Sequence, residues 1–493
     1  MQPSDLKKKT ISGMFWKFGE RICAQLISLS ITIVLARLLM PEDYAVISII
    51  TIFFSFANVF ISGGFNSALI QKSDSDIEDY SSVLWISLII ATIIYIILFF
   101  CAPIIAKVYN YDILVSVIRV MGLTLFINAI KSIVCAYISN HMIFKKYFWA
   151  TLIGTIISGI VGISMAYSGF GCWALVAQQM TNALIDTLLL FITTKVKFVF
   201  KINTQKAKKL FKFGSKILVA SSISVLYEEI NPLIIGIKFS GADLAYYSKG
   251  KHYPSMFNST ICDTLSAVLF PAVSKLQGDK QAILNYLRRY MSVSSFIIFP
   301  VMLGFLAISN NFVIILFTEK WISSVIYIQI FCVVFMFNII QVGNLQVIRA
   351  LGRSDIYLKL EIIKKTAYFA VILVFVLFTN DPIFLALSCV INTFIASIVN
   401  TAPNTKLINY KYRLQIIDVG LNLITSICMC IIVLLIGFIN INIYLELFVQ
   451  IFIGIIFYVT INLIIKNPNM FYLLNTIKSF LRKKKGEKVN TNN

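Results

Sequence analysis

Apolar stretches of about 20 residues follow one another along almost the whole chain, and this recurrence decides the fold class before any single residue is weighed. As helices, such stretches match a hydrocarbon core roughly 30 Å thick. They lie near 12–39, 44–69, 81–102, 113–138, 147–167 and 172–193, then near 213–237, 254–271, 287–309, 325–348, 360–378 and 382–401. A last pair lies near 415–438 and 441–465. The expected fold is an all-α polytopic membrane protein with about 14 transmembrane helices. The alternation over about ten residues that marks a closed β-barrel, the other spanning structure, is absent. A soluble fold fails on composition. With 58% hydrophobic and 13% charged residues among 493, and a mean hydropathy of +0.85, too little polar surface is left to cover a core.

The net charge of +21 would suggest nucleic acid in a soluble protein, but here the basic residues fall between apolar runs. That placement reads as membrane topology and contact with anionic lipid. With the N-terminus inside, inner segments hold roughly 33 of the 43 lysines and arginines. Outer connections such as 168–171, 379–381 and 437–442 hold none. Both termini are therefore expected in the cytoplasm. No cleavable signal peptide is expected, because the first apolar stretch is long and carries internal charges. No connection is long enough for an extramembrane catalytic domain, so an enzyme is not expected. The nine cysteines show no metal or redox spacing and read as small hydrophobes.

The chain also repeats itself. "KFGERICAQ" at Lys17 is echoed by "KFGSKILVA" at Lys212, and "PEDYAVIS" at Pro41 by "GADLAYYS" at Gly241. Two echoes in the same order at nearly constant offset indicate two homologous six-helix lobes with parallel orientation. The expected organisation is an N-terminal lobe over 1–194, a basic amphipathic linker over 195–216 and a C-terminal lobe over 217–405. An extra helix pair over 406–466 and a basic tail over 467–493 complete it.

Polar groups at bilayer depth usually face a bundle interior or a water-filled cavity. In the first helix Lys17 and Arg21 are one turn apart, and Gln25, Ser28 and Thr32 continue roughly the same stripe. The fourth helix adds Arg119, Asn128 and Lys131, and the second adds Asn58 and Asn66. A cationic inner surface on the first lobe is one reading. Snorkelling of Lys17 and Arg21 to the interface, with Glu20 as an ion-pair partner, is the other. The second lobe carries the opposite sign: Glu228 and Glu229 precede Asn231–Pro232, where a break or kink is expected, and Asp263 sits in the eighth helix. These carboxylates suit either a coupling or gating role or pairing with basic groups. Asn338 and Gln341 in the tenth helix suit cavity contacts or interhelical hydrogen bonds. His141 and His252 lack partners at metal-ligand spacing, so no metal site is expected.

From Arg37 the chain reads "RLLMPEDY", and after one helix "GGFNSALIQ" from Gly63. These segments resemble the opening of the polysaccharide-transport family, the oligosaccharide flippases of the MOP exporter superfamily, and most nearly exporters of the colanic and teichuronic acid type. Ala45 stands where that pattern would have glycine. The resemblance implies two six-helix lobes facing a central cavity, plus two further helices. It implies translocation of an undecaprenyl-pyrophosphate-linked oligosaccharide across the bacterial cytoplasmic membrane by alternating access, for surface polysaccharide assembly. A coupling H+ or Na+ is expected and no other cofactor. Lys17, Arg21, Gln25, Arg119 and Lys131 would bind the anionic headgroup, Glu228, Glu229 and Asp263 would couple or gate, and Asn58, Asn66, Asn338 and Gln341 would meet sugar. Membrane lipids and the polymerase and chain-length proteins of the same pathway are the expected partners. The alternatives are a multidrug or toxin extruder of the same superfamily and, from another class, a membrane polysaccharide polymerase or ligase.

Overall fold

The computed structural model describes residues 3–63, 69, 76–141, 143–196, 198–199, 204–276, 278–439 and 441–475. Within its helices the side chains of 3–15, 17–18, 21–22, 63, 204–214, 216–217, 263–264, 266–268 and 271 lie outside the description. The helices are α1 (Pro3–Leu38), α2 (Pro41–Asn58), α3 (Ile77–Tyr109), α4 (Ile113–Met121), α5 (Thr124–His141), α6 (Phe144–Tyr167), α7 (Cys172–Thr194) and α8 (Thr204–Lys238). They continue as α9 (Gly241–Lys275), α10 (Lys280–Phe317), α11 (Ser324–Met336), α12 (Asn338–Ala350), α13 (Ser354–Phe378), α14 (Pro382–Leu407), α15 (Tyr412–Ile436) and α16 (Ile443–Ile464). A π turn, Val59–Gly63, closes α2.

Eleven spans among the described residues are long and apolar enough to cross a membrane, with α4 and α5 together forming Ile113–His141 and α11 and α12 forming Ser324–Ala350. Cys23–Leu38 is a shorter apolar helix. The sequence expectation of about 14 counts three further helices, α1, α9 and α13; α9 and α13 carry more polar and charged residues along their length, and α1 is described as an apolar stretch only over Cys23–Leu38.

The repeat seen in the sequence has a structural counterpart. Helices α1 and α8 are 36 and 35 residues long, and each ends in a short link to a helix with aspartate in its first turn. Asp43 Oδ2 accepts from the Met40 backbone N–H at 3.0 Å, and Asp243 Oδ2 from the Ser240 N–H at 3.1 Å. A carboxylate in a helix's first turn satisfies an orphan donor and favours the positive end of the dipole. The seven helices α1–α7 and the seven α8–α14 follow the same order, with the fourth span interrupted in each set, at 122–123 and at 337.

The chain divides into two compact units, 1–245 and 246–493. Helix α8 thus groups with the first unit, although it opens the second set of the repeat. It runs unbroken through Pro232, so of the break or kink expected there, no break occurs. Proline removes one ladder bond, and the remaining bonds carry the helix across it. The linker helix expected over 195–216 is, from Thr204 onward, the first part of α8. The faces of residues 204–214 lie outside the described residues.

In the first unit α6 packs on both α1 and α7. Val134, Ile138, Ala150 and Leu190 seal α5, α6 and α7 together, and Tyr80, Val83, Leu84, Ile133 and Ala136 join α3 to α5. In the second unit α10 is the central helix, packed on α11, α15 and α16. Outward faces stay apolar, as at Ile93, Ile96 and Phe100 of α3 and Phe448, Phe452 and Ile455 of α16. In a membrane such faces need no cover.

Candidate functional site: a polar cavity in the first unit

Five helices of the first unit turn their polar stripes onto one cavity of about 640 Å³, within the size range of ligand sites. Helix α1 supplies Glu20, Ala24, Gln25 and Ser28, and α2 supplies Thr51, Ser55 and Asn58, spaced three and four residues apart and so on one face. Thr124, Asn128 and Lys131 do the same on α5. Thr155 and Ser158 of α6, with Gln178, Gln179 and Asn182 of α7, complete the wall.

Hydrogen bonds across the wall hold it in place. Asn128 Nδ2 donates to Asn58 Oδ1 at 3.1 Å, and Asn182 Nδ2 to Ser158 Oγ at 3.3 Å. Ser55 Oγ donates to Glu229 Oε1 at 3.0 Å, which ties α2 to α8. Lys131 Nζ lies 2.6 Å from Asp186 Oδ2 of α7. The lysine side chain is 27% exposed and the aspartate 2%, so the cation faces the cavity and the carboxylate stands behind it. Asp186 Oδ1 is buried with no hydrogen-bond partner.

Helix α6 lets its neighbours come this close because it presents small residues. A Cβ at Gly154 would meet the Asp186 Cβ and backbone N at 3.3 Å, and one at Gly162 would meet the Gln178 Cβ at 2.9 Å. At Gly159 it would run into the Ile31 side chain.

Of the residues the sequence singled out, the cavity brings together Gln25, Asn58 and Lys131. Arg119 is not among its lining residues; its guanidinium lies 4.2 Å above the Phe99 ring of α3. The side chains of Lys17, Arg21 and Asp263 lie outside the described residues, as does Asn66. Glu228 is exposed on α8. Asn338 and Gln341 belong to the second unit, where Asn338 Nδ2 donates to Asn258 Oδ1 at 3.5 Å and Gln341 Nε2 to the Thr393 carbonyl at 3.3 Å. Among the described side chains the cavity wall carries one cation and one anion, Lys131 and Glu20, amid amides and hydroxyls. Sequence reasoning missed Asp186 and the α7 stripe of Gln178, Asn182 and Asp186. Its four-residue spacing inside an apolar helix was the available signal.

The second unit holds a different space, an apolar groove of about 250 Å³ between α9, α10, α15 and α16. Phe257, Pro300, Phe305, Met429, Val433 and Ile451 line it.

A family of polysaccharide biosynthesis proteins matches residues 34–326. The succinoglycan biosynthesis transport protein ExoT of Rhizobium meliloti is 24% identical over 291 residues, which are 58% of this chain and 58% of that relative. The teichuronic acid biosynthesis protein TuaB of Bacillus subtilis is 22% identical over 71% of this chain and 73% of its own length. The lipopolysaccharide biosynthesis protein WzxC of Escherichia coli is 24% identical over 75% of each. In fold, the chain is similar to the lipid II flippase MurJ in an inward closed conformation, with a TM-score of 0.72 at 17% identity over 92% of this chain and 98% of that one. It is also similar to an inward-facing multidrug resistance MATE transporter of the MOP superfamily, with a TM-score of 0.60 at 13% identity over 79% of this chain and 96% of that one.

Proposed function

The chain belongs to the polysaccharide biosynthesis protein family, and from that membership we propose that it is a flippase for a polyprenyl-pyrophosphate-linked oligosaccharide. The observation that carries this reading is the polar cavity walled by apolar helices. A sugar diphosphate cannot cross hydrocarbon unaided, because its phosphates and hydroxyls would lose their water. Asparagine, glutamine, serine and threonine around the cavity supply replacement donors and acceptors. Lys131 offers a charge to the diphosphate. The apolar groove of the second unit suits the polyprenyl tail by its chemistry. No covalent step is needed, and the chain moves its cargo rather than transforming it.

The protein works in the bacterial cytoplasmic membrane with both termini on the cytoplasmic side, an orientation supported by the distribution of lysine and arginine. It alternates access to the two leaflets. An H+ or Na+ gradient biases the cycle through Glu228, Glu229 and Asp263, of which Glu229 bonds Ser55 on the cavity wall. Polymerase and chain-length proteins of the same pathway take the product.

Deletion of the gene, with lipid extraction and leaflet-selective labelling, tests this. Lipid-linked repeat units should accumulate in the inner leaflet and return to the outer one on complementation. Single units displayed outside would indicate a polymerase, and altered toxin sensitivity alone would indicate a drug exporter. Glu228→Gln, Glu229→Gln and Asp263→Asn together should abolish the gradient dependence of flipping; unchanged dependence would remove the coupling assignment.

A further inference from the structure

Where α3 turns into α4, the first unit has a second hollow, of about 470 Å³ and apart from the polar cavity. We propose that it is a phospholipid site. It takes the headgroup of a phosphoethanolamine lipid from the leaflet beside that turn, with the phosphate on Lys107 and Arg119 and the ammonium on Asp112. Such a site is independent of the cargo and of the flippase reading.

Pro103 and Lys107 of α3, Asn110 and Asp112 of the turn and Val115 of α4 form the hollow. Lys107 and Asp112 are exposed there, and neither has an ion-pair partner among the described residues. One helical turn further from the mouth, Phe99 follows Pro103 on the same face of α3 and Arg119 follows Val115 on that of α4. Arg119 Nε is buried with no hydrogen-bond partner, and its guanidinium lies 4.2 Å above the Phe99 ring. Among the described residues no carboxylate meets it. Beside the hollow, Phe100, Ile104 and Val108 keep the outward face of α3 apolar and exposed.

A guanidinium about 9 Å along α4 from Ile113 is costly in hydrocarbon unless an anion or water meets it. The ring face offsets part of that cost. Side chains lean toward the N-terminus of their helix, so the Arg119 stem leans toward the hollow, and a rotamer change brings its head to a phosphate there. Arginine and lysine then share the phosphate in charge-assisted hydrogen bonds. Free phosphate would leave the apolar face of α3 unused, whereas a lipid lays its acyl chains along it. Asp112 selects the headgroup. A headgroup without a cation would set its phosphate beside an unpaired carboxylate, and ethanolamine brings the ammonium that pairs with it.

The test uses the full chain in detergent, with native mass spectrometry during titration by dioleoyl-phosphatidylethanolamine or dioleoyl-phosphatidylglycerol. The wild type should hold the phosphoethanolamine lipid about fivefold more tightly than the phosphoglycerol one. Arg119→Gln and Lys107→Gln should each weaken that binding by about tenfold. Asp112→Asn should keep the binding and erase the preference. Glycerophosphoethanolamine, which has the headgroup without chains, and inorganic phosphate should not displace the lipid at equal concentration. Binding unchanged in both cation variants, a preference that survives Asp112→Asn or is absent from the wild type, or displacement by either soluble compound overturns the proposal. Should Arg119→Gln fail to fold, Lys107→Gln and Asp112→Asn decide by the same criteria, since both side chains are exposed at the mouth.

Discussion

Lys131 and Asp186 show what a residue can and cannot disclose by itself. Lys131 stands out in an apolar run, as do Gln25, Asn58 and Asn128, and the structure brings all four to one cavity. Their polarity inside a spanning helix was enough to find them. Asp186 escaped because its meaning lies in a partner on another helix, and periodicity along one helix says nothing of register between two. Arg119, equally conspicuous in sequence, lies over an aromatic ring instead. The pair predicts an asymmetry. Lys131→Ala leaves a buried carboxylate alone and should destabilise the protein by about 3 kcal/mol, whereas Asp186→Ala leaves a lysine that reaches the cavity and should cost less. The double alanine variant should recover most of the loss. Thermal unfolding of the four proteins in a double-mutant cycle measures the coupling, and additive losses would refute it.

Helix identity and order were legible in the sequence because each span is a long apolar run. Less legible were the interruptions, since the short breaks in the fourth span of each set occur inside continuous hydrophobic sequence. The aspartates that open α2 and α9 were visible as an echo, and their chemistry is local. Asp43→Ala and Asp243→Ala should each cost about 1 kcal/mol, because each leaves a backbone donor uncapped. Asp43 has a second neighbour in the turn before α7. Gly171 has a positive φ of 54° there, and a Cβ would come within 2.9 Å of Asp43 Oδ1. Gly171→Ala therefore meets both backbone strain and contact, and should lower the unfolding temperature more than Gly169→Ala, whose Cβ would touch nothing. Equal shifts would show that the contact is immaterial.

At the scale of the whole molecule, the last two helices are part of the second unit's core. Asn422 Nδ2 donates to the Ser292 carbonyl at 2.9 Å, Tyr458 Oη to the Phe296 carbonyl at 2.9 Å, and Asn311 Nδ2 to Glu446 Oε1 at 2.7 Å. Arg288 grips Asp418 with two nitrogens, and Tyr410 donates to the same carboxylate at 2.8 Å. A chain ended at Leu407 would take these partners away from α10 and uncover the face they pack on, and it should elute as aggregate rather than as a single species on size exclusion. Asp418→Asn, a milder injury to the same joint, should cost about 2 kcal/mol and keep the protein monodisperse. The glycine-bearing face of α6 has a different consequence. The Ile31 side chain fills the space a Cβ at Gly159 would need, and Gln178 and Asp186 do the same at Gly162 and Gly154, so α1 and α7 are keyed into notches along α6. Bulk placed in a notch, as in Gly159→Leu beside Ile31, would prise α1 from α6 and reshape the polar chamber that both helices wall.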